Sequence, residues 1–139
     1  MIKSSRLWLH PNIIWTIIKK TPTLDPLVIL LNTEVYYIEN KKEIASFATI
    51  KKWKDSTEIG TIYTYPKYRN KGLAGLIIKS IKKEYSPIWL LCKKELVSYY
   101  KKQGFKTIKK ANNKVGKRQR IFNKTLGKII RYNLFVMKS

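Results

Sequence analysis

The sequence predicts an α/β (α+β) fold, with a mixed, mainly antiparallel sheet that carries helices on its faces. A strand hairpin in the first half and alternating helix and strand patterns in the second half support this class. The 139 residues are 44% hydrophobic and 12% aromatic, which is ample for one packed core and argues against disorder. No repeat or low-complexity linker divides the chain, so we predict a single domain over residues 1–139.

The first half of the chain is predicted to contain one helix and a strand hairpin. Pro11–Lys20 is predicted as a helix because proline suits a first turn and four residues share one apolar face, Ile13, Ile14, Ile17 and Ile18. Val35–Glu39 and Glu43–Lys51 are rich in strand-forming residues and are joined at Asn40-Lys41. This pattern is typical of an antiparallel hairpin, which supplies the antiparallel part of the sheet.

The second half alternates between strand and helix patterns. A strand, a helix, a strand, a helix and a strand are predicted over Glu58–Tyr65, Gly72–Tyr85, Ile88–Cys92, Glu95–Gln103 and Arg131–Lys138. The first of these helices has an apolar face at helical spacing, made of Leu73, Leu76, Ile77 and Ile81. Gly104 is well placed as the left-handed cap of the second helix.

The formal net charge of +22 is extreme for this length and has two explanations. One is an anionic partner, such as nucleic acid or an acidic protein face. The other is codon bias in an AT-rich genome together with solubility, because 25 of the 30 basic residues are lysine. The most basic stretch is Lys106–Lys128, which is interpreted as having turn points at Gly116 and Gly127. It offers three side chains for phosphate and stacking contacts, Arg118, Arg120 and Phe122.

Simple counts exclude several kinds of site and location. With one cysteine, Cys92, and one histidine, His10, the chain lacks the residues for a disulfide framework or a zinc cluster. Eight scattered acidic residues argue against calcium or two-metal sites, so we predict no metal. Cys92 ends the apolar run Ile88–Leu91 and is interpreted as a buried structural thiol. Without a transmembrane-length segment or secretory leader, we predict a soluble, intracellular, cytoplasmic protein with no membrane contact; its oligomeric state, a homodimer included, stays open.

A phosphate-binding arrangement is predicted where the strand Glu58–Tyr65 leads through a loop into the helix that begins at Gly72. The first turn of a helix leaves backbone N–H groups unpaired and carries a positive partial charge. Gly72 and the small Ala74 allow close approach of phosphates, and Arg69 and Lys71 add positive charge at the same place. The glycine spacing fits neither the dinucleotide fingerprint nor the Walker A loop, so this reasoning predicts an anion or nucleotide without naming it.

Three segments resemble the GNAT family of acetyltransferases. Residues Arg69–Ala74 are similar to its acetyl-CoA signature, Gln/Arg-x-x-Gly-x-Gly/Ala. Tyr99–Phe105 resembles its helix-ending Tyr-x-x-x-Gly-Phe segment, and Phe135–Lys138 resembles its closing strand. The resemblance implies a sheet with a splayed central strand pair, acetyl-CoA as cofactor, and backbone contacts to it. Tyr63, Thr64 and Tyr65 would bond the pantetheine amides, and the N–H groups of Arg69, Asn70, Lys71, Gly72, Leu73 and Ala74 would hold the pyrophosphate.

The same resemblance implies an N-acetyltransferase in which an amine attacks the thioester directly. An amine with a pKa of about 10 is protonated at neutral pH, so a base must accept its proton, and Glu58 matches the family position for that base or for ordering a water. Tyr100 matches the proton donor to the departing thiolate, and Tyr99 is expected in the core. The alternatives are a Glu58 paired with lysines and a Tyr100 that only packs. Lys93 stands where members often carry Asn.

A second function also remains open at this point. It is a GNAT-like basic module that binds RNA, DNA or a larger assembly, with catalysis secondary or lost. The motifs do not identify the amine acceptor.

Overall fold

A seven-stranded mixed sheet forms the centre of the computed structural model, which describes residues 1–20, 33–131 and 133–139. The strands lie in the order β1-β2-β3-β4-β5-β7-β6, with bounds Ile2–Arg6 (β1), Glu34–Asn40 (β2), Glu43–Lys52 (β3), Thr57–Thr64 (β4), Trp89–Lys93 (β5), Lys106–Ile108 (β6) and Leu134–Lys138 (β7). Every neighbouring pair is antiparallel except β4 and β5, which are parallel. The predicted mixed, mainly antiparallel sheet is therefore confirmed.

Five α-helices are found among the described residues. They are Pro11–Lys20 (α1), Leu73–Glu84 (α2), Val97–Lys102 (α3), Lys114–Lys124 (α4) and Leu126–Ile129 (α5). The first has the predicted bounds, and the next two lie within the predicted ranges. Gly104 has a φ of 82° after α3, which confirms the predicted left-handed cap. Within the described ranges, no helix has both the length and the apolar character needed to cross a membrane.

Helices cover both faces of the sheet, and successive residues of a strand alternate between the two layers. On one face α2 and α3 pack against the strands through a core cluster that includes Ile50, Ile59, Ile77, Leu90 and Tyr100. On the other face α1 packs against Val35 and Phe47. On that same second face α4 packs through Val115 against Val136. The central strands are therefore covered by helices on both faces of the sheet.

The basic stretch between β6 and β7 is helical, so the predicted turn points at Gly116 and Gly127 are wrong. Asn113 caps α4 by accepting the backbone N–H of Gly116 at 3.0 Å. Gly116 itself is buried inside the helix, and a Cβ there would lie 2.0 Å from the carbonyl oxygen of Ala111. Gly116 therefore allows the helix backbone to pack closely against Ala111. In the sequence alone, this glycine resembled a turn residue. The strands β1 and β6 were also missed, because one is largely polar and the other has three residues.

Candidate active site

A gap opens between the two parallel strands at the centre of the sheet. β4 and β5 pair only at Glu58–Trp89 and Ile59–Leu90. Beyond these pairs β4 continues to Thr64 and β5 to Lys93 without further pairing to each other. The splayed central strand pair implied by the resemblance is therefore present. Unpaired backbone groups along this gap are available to a ligand.

A β-bulge in β4 lies where the two strands separate. The register shifts between the pairs Ile50–Ile59 and Ala48–Ile62, so Gly60 and Thr61 together face a single residue of β3, Thr49. The displaced N–H of Thr61 donates to the hydroxyl of Thr49 at 2.8 Å. A Cβ at Gly60 would lie 2.7 Å from that same hydroxyl oxygen, so only glycine fits here without displacement. Because a bulge bends its strand, β4 turns away from β5 at this point.

The register beyond the bulge decides which backbone groups face the gap. The N–H of Tyr65 donates to the carbonyl oxygen of Ala45 at 3.0 Å, so the backbone of Tyr65 points toward β3. Because alternate residues of a strand point to opposite neighbours, the backbone of Tyr63 also faces β3, whereas Ile62 and Thr64 face the gap. The Thr64 carbonyl accepts a hydrogen bond from Arg69 Nε at 3.1 Å.

This register separates the three residues that were predicted to bond the pantetheine amides. Of Tyr63, Thr64 and Tyr65, only Thr64 presents its backbone to the gap. Ile62 does so as well and was missed; the signal that could have found it is Gly60, because an isolated glycine inside a strand pattern suggests a bulge. The side chains of Tyr63 and Tyr65 pack with the cluster under α1 instead.

The predicted phosphate loop forms a helix start that is open to an anion. Pro66–Tyr68 make a 3₁₀ turn, and Gly72 is the N-cap of α2 in a left-handed conformation with a φ of 71°. No side chain caps this end of α2, and a Cβ at Gly72 would meet no atom within 4 Å among the described residues. The start of α2 therefore presents backbone N–H groups to open space, the arrangement that binds phosphates.

Polar and aromatic contacts hold this loop in place. The hydroxyl of Tyr68 donates to Glu43 at 3.0 Å, and Lys67 also pairs with Glu43. Exposed Asn70 adopts a left-handed φ of 61°, which lets the chain turn into the helix. The exposed Lys71 extends its ammonium to 5.8 Å from the Tyr68 ring. Leu73 and Ala74, both partly buried, form the first turn of α2, so all six predicted residues from 69 to 74 lie together.

Tyr100 lies against the two strands that separate. It is only 8% exposed and belongs to the core cluster that contains Ile59 of β4 and Cys92 of β5. The rings of Tyr99 and Phe105 flank it, with centroids 5.2 and 5.9 Å away. Burial raises the pKa of Tyr100 well above its ordinary value, and neighbouring Cys92 adds to the shift. Tyr99 is 36% exposed, so the expectation that it belongs to the core is wrong.

Glu58 is a buried carboxylate on the opposite face of the sheet from Tyr100. It is 2% exposed and is the first residue of β4 that pairs with β5. Trp53 Nε1 donates to it at 2.7 Å, and Arg118 of α4 donates to its two oxygens at 2.8 and 2.5 Å. The guanidinium of Arg118 also lies 5.1 Å from the centroid of the Trp53 ring. Glu58 therefore forms an ion pair, as the alternative interpretation of this residue expected, although its partner is an arginine and not one of the many lysines.

Two of the side chains on the basic helix α4 that were expected to contact nucleic acid point into the domain instead. Arg118 pairs with Glu58, and Phe122 is 8% exposed. Arg120 remains exposed but donates to the carbonyl oxygen of Ala111 at 2.8 Å. The expectation that Arg118 and Phe122 are available for phosphate and stacking contacts is wrong, because both anchor α4 to the domain.

Cys92 is a buried thiol, as the sequence predicts. It is 4% exposed, and its Sγ lies 3.6 Å from the sulfur of Met137. Burial raises the pKa of this thiol to about 11, which keeps it protonated and unreactive at neutral pH. Across the described part of the chain, no group of three or more His, Cys, Asp or Glu side chains is placed to hold a metal ion.

Comparison with solved structures finds the same architecture in acetyltransferases. Rv2747 from Mycobacterium tuberculosis, solved with CoA and NLQ, is 13% identical and has a TM-score of 0.69, with 98% of this chain and 97% of that chain covered. Ribosomal-protein-alanine N-acetyltransferase from Brucella melitensis is 12% identical with a TM-score of 0.66, over 100% and 98% of the two chains. A GNAT family acetyltransferase from Elizabethkingia anophelis with acetyl-CoA bound is 16% identical with a TM-score of 0.61, over 99% and 95%.

Sequence comparison gives the family directly. No curated protein sequence matches the chain significantly. Residues 32–107 match the family described as an acetyltransferase (GNAT) domain, and they make up more than half of the 139 residues. They include the bulged strand β4, the separated pair, the phosphate loop and Tyr100. The chain therefore belongs to the GNAT acetyltransferase family.

Proposed function

We propose that this protein is an acetyl-CoA-dependent N-acetyltransferase that acts as a single domain and transfers the acetyl group directly to an amine. The observation that carries the proposal is the continuity between two features. The gap between β4 and β5 leads past Thr64, whose carbonyl oxygen is bonded to Arg69, to the open helix start at Gly72. An elongated ligand with an apolar-and-amide arm and a phosphorylated end matches that path.

The residues along this path fit the cofactor. The open space at Gly72 admits a phosphate close to the backbone, and Arg69 and Lys71 add positive charge there. The gap-facing backbone of Ile62 and Thr64 supplies donors and acceptors for amides. When bound, acetyl-CoA supplies the activated acetyl thioester. Related structures with CoA or acetyl-CoA bound support this assignment.

Tyr100 is the proposed proton donor to the thiolate that leaves. A tyrosine phenol, with an ordinary pKa of about 10, keeps its proton throughout the physiological pH range, which a general acid requires. Its place on α3 against Ile59 and Cys92 puts it beside both strands of the gap. Because Tyr100 and Glu58 lie on opposite faces of the sheet, acid and base act from opposite sides of the gap.

Glu58 is the proposed acceptor of the proton from the attacking amine, directly or through a water. Its contacts set a condition on this role. Arg118 contacts both of its oxygens and Trp53 contacts one, and Glu58 is only 2% exposed, so one of these neighbours must move aside before a water or an amine can reach the carboxylate. We propose that entry of the acceptor on the α1 and α4 face displaces the Arg118 contact.

Calorimetry with acetyl-CoA and purified protein tests the function, followed by an assay of thiol release with a panel of primary amines. The panel contains a polyamine, a lysine peptide and peptides with free N-termini. We expect binding at micromolar or tighter dissociation constants and release of CoA with at least one amine. Absence of acetyl-CoA binding by a folded protein would refute the proposal.

A second function, binding of RNA or DNA, is favoured by the exposed cations that remain on the outside of α4. Lys114, Lys117, Arg120 and Lys124 all face solvent. If this surface binds nucleic acid, affinity for a single-stranded RNA oligonucleotide should be measurable at low ionic strength and fall steeply with salt. Undetectable binding under low-salt conditions would remove this second function and leave the enzyme unaffected.

A further inference from the structure

The helical insertion between β6 and β7 has an exposed aliphatic surface on its outer side. Ile121 of α4 is 65% exposed and lies on the same stripe of the helix as Lys117, four residues before it, and Lys124, three residues after it. Ile129 of α5 is 76% exposed, and among the large apolar side chains of the described residues only Met1 is more exposed. Single exposed apolar residues are ordinary, whereas a group of them marks a surface that contacts a partner or a membrane. We call this group, which falls within ten residues of the chain, the aliphatic patch: Ile121, Leu126, Ile129 and Ile130.

The inner side of the insertion is occupied by contacts to the domain, which holds the aliphatic patch outward. Phe122 of α4 is buried, and the side chain of Gln119 donates to the carbonyl oxygen of Leu134 at 2.9 Å. α5 follows α4 after a break at Thr125, whose N–H still donates to the carbonyl oxygen of Ile121 at 3.1 Å. The patch is therefore a fixed part of the molecular surface.

The charge around the aliphatic patch is entirely positive. Residues 96–139 contain no Asp or Glu. The cations next to the patch are all exposed, namely Lys117, Lys124, Lys128 and Arg131. The ion pairs among the described residues involve other cations, namely Lys3, Lys52, Lys67 and Arg118. A contact surface that suits this patch must therefore be apolar where the isoleucines meet it and anionic around them.

An anionic lipid bilayer meets both requirements better than nucleic acid or a second copy of the chain. Nucleic acid would use the cations but stacks its bases on aromatic rings, and the aromatic residue of α4, Phe122, is buried. A second copy would bring the same cations against these, at a cost in repulsion. A bilayer supplies acyl chains for aliphatic side chains and anionic headgroups for the lysines beside them.

We propose that the aliphatic patch docks the protein on the surface of an anionic membrane. Ile121 and Ile129 enter the apolar layer, while Lys124 and Lys128 lie among the headgroups. A contact of this kind needs no spanning segment, so it goes beyond the prediction of no membrane contact, which rested on the lack of one. The phosphate loop begins α2, which packs on the other face of the sheet from α4, so it stays open to solvent in the docked protein.

Co-sedimentation with vesicles tests the proposal in the absence of CoA, so its outcome does not depend on the proposed function. Mixed phosphatidylcholine–phosphatidylglycerol vesicles are compared with vesicles of phosphatidylcholine alone. Two variants change the patch and its rim, Ile121→Ser/Ile129→Ser and Lys124→Gln/Lys128→Gln. The matched control, Leu76→Ser/Leu96→Ser, removes two exposed leucines from the α2 and α3 side of the sheet. Circular dichroism checks that every variant is folded.

We expect the wild type and the control to bind the mixed vesicles at least about tenfold more tightly than phosphatidylcholine alone. Each patch variant should bind the mixed vesicles at least about tenfold more weakly than the wild type does. Failure of the folded wild type to bind, or an equal loss in the control, would overturn the proposal. If only the lysine variant loses affinity, the surface attracts polyanions such as RNA and does not enter a bilayer. If the wild type self-associates without vesicles and the isoleucine variant does not, the patch joins two copies instead.

Discussion

Arg118 donates from a single guanidinium nitrogen to both carboxylate oxygens of Glu58, at 2.5 and 2.8 Å. The two residues are 60 positions apart in sequence. Arg118 lies in the helical insertion between β6 and β7, and Glu58 is the first residue of β4 that pairs with β5. Trp53 completes the contact by donating to the same carboxylate. This pair therefore joins the basic insertion to the centre of the sheet, next to the gap.

Removal of Arg118 is expected to destabilise the protein. In Arg118→Ala the carboxylate of Glu58, with 3% of its side chain exposed, would lose its cation in a low-dielectric environment. Breaking one side of such a pair costs about 3 kcal/mol of the free energy of unfolding. Chemical denaturation followed by circular dichroism measures this change. Lys3→Ala, which breaks the exposed Lys3–Glu39 pair, is the control and should leave the unfolding midpoint unchanged. Equal stability of both variants would show that the Arg118 pair contributes nothing.

Glu58→Gln is expected to lower kcat by about 100-fold with the amine identified in the panel, because the proposed proton acceptor is lost. The dissociation constant of acetyl-CoA should stay the same. An acceptor amine of low pKa arrives already deprotonated and should recover much of the lost rate, which a purely structural role for Glu58 would not produce. Glu39→Gln serves as the control because it removes a carboxylate from the far edge of β2. An equal loss of rate with all amines would assign Glu58 to anchoring α4 only.

The helical insertion shows where prediction from this sequence reaches its limit. α1 and α2 were predictable because their apolar residues recur at helical spacing. α4 buries Val115, Gly116 and Phe122 among many cations, so its apolar face is narrow and its glycine resembles a turn. The ion pair of Arg118 with Glu58 is a tertiary contact between distant segments, so no local sequence pattern predicts it.

The site was predictable to the same degree. The residues 69–74 form one continuous segment whose proposed function depends on backbone N–H groups, so the sequence contains the whole feature. The gap contacts depend on the bulge at Gly60 and Thr61, which shifts the register so that Ile62 replaces the expected neighbours of Thr64. Likewise, which of Tyr99 and Tyr100 is buried depends on how the short helix α3 is rotated about its axis against the sheet.

The bulge itself can be tested through Thr49. In Thr49→Val the displaced N–H of Thr61 loses the acceptor that lies 2.8 Å away, and an unsatisfied amide costs about 1 kcal/mol or more of stability. We also expect weaker acetyl-CoA binding, because β4 then relaxes toward a regular register and narrows the gap. Thr49→Ser keeps the hydroxyl and should restore both properties. Similar behaviour of the Val and Ser variants would mean that lost packing, and not the hydrogen bond, is responsible.

Substitutions of Gly72 should weaken cofactor binding in a graded way. Gly72→Ala introduces a methyl group into open space but at a φ of 71°, so we expect a modest loss of affinity and stability. Gly72→Glu adds bulk and negative charge where the pyrophosphate should lie, so calorimetry should detect no acetyl-CoA binding. Thermal unfolding provides the control for folding of both variants. Retention of wild-type affinity by a folded Gly72→Glu protein would place the pyrophosphate somewhere else.

Tyr100→Phe is expected to lower kcat by about 100-fold while leaving the acetyl-CoA dissociation constant unchanged, because only the proposed proton donor is removed. Tyr99→Phe, on the exposed neighbour, is the matched control and should retain activity. The Tyr100→Phe substitution should also change how the free energy of unfolding depends on pH. In the unfolded chain a tyrosine loses its proton near its ordinary pKa of 10.0, whereas burial raises the pKa of Tyr100. Above pH 10 the unfolded state therefore binds fewer protons, and stability falls as the pH rises.

Tyr36, whose pKa burial also raises, contributes to the same alkaline loss of stability. Tyr100→Phe should therefore reduce the fall in the unfolding free energy between pH 10 and 11 without abolishing it. Urea unfolding at pH 8, 10 and 11 measures this difference. A rate close to that of the wild type would remove Tyr100 from catalysis. A normal alkaline fall in the variant would instead show that the phenol is hydrated in the folded protein, and the buried donor that the mechanism requires would be absent.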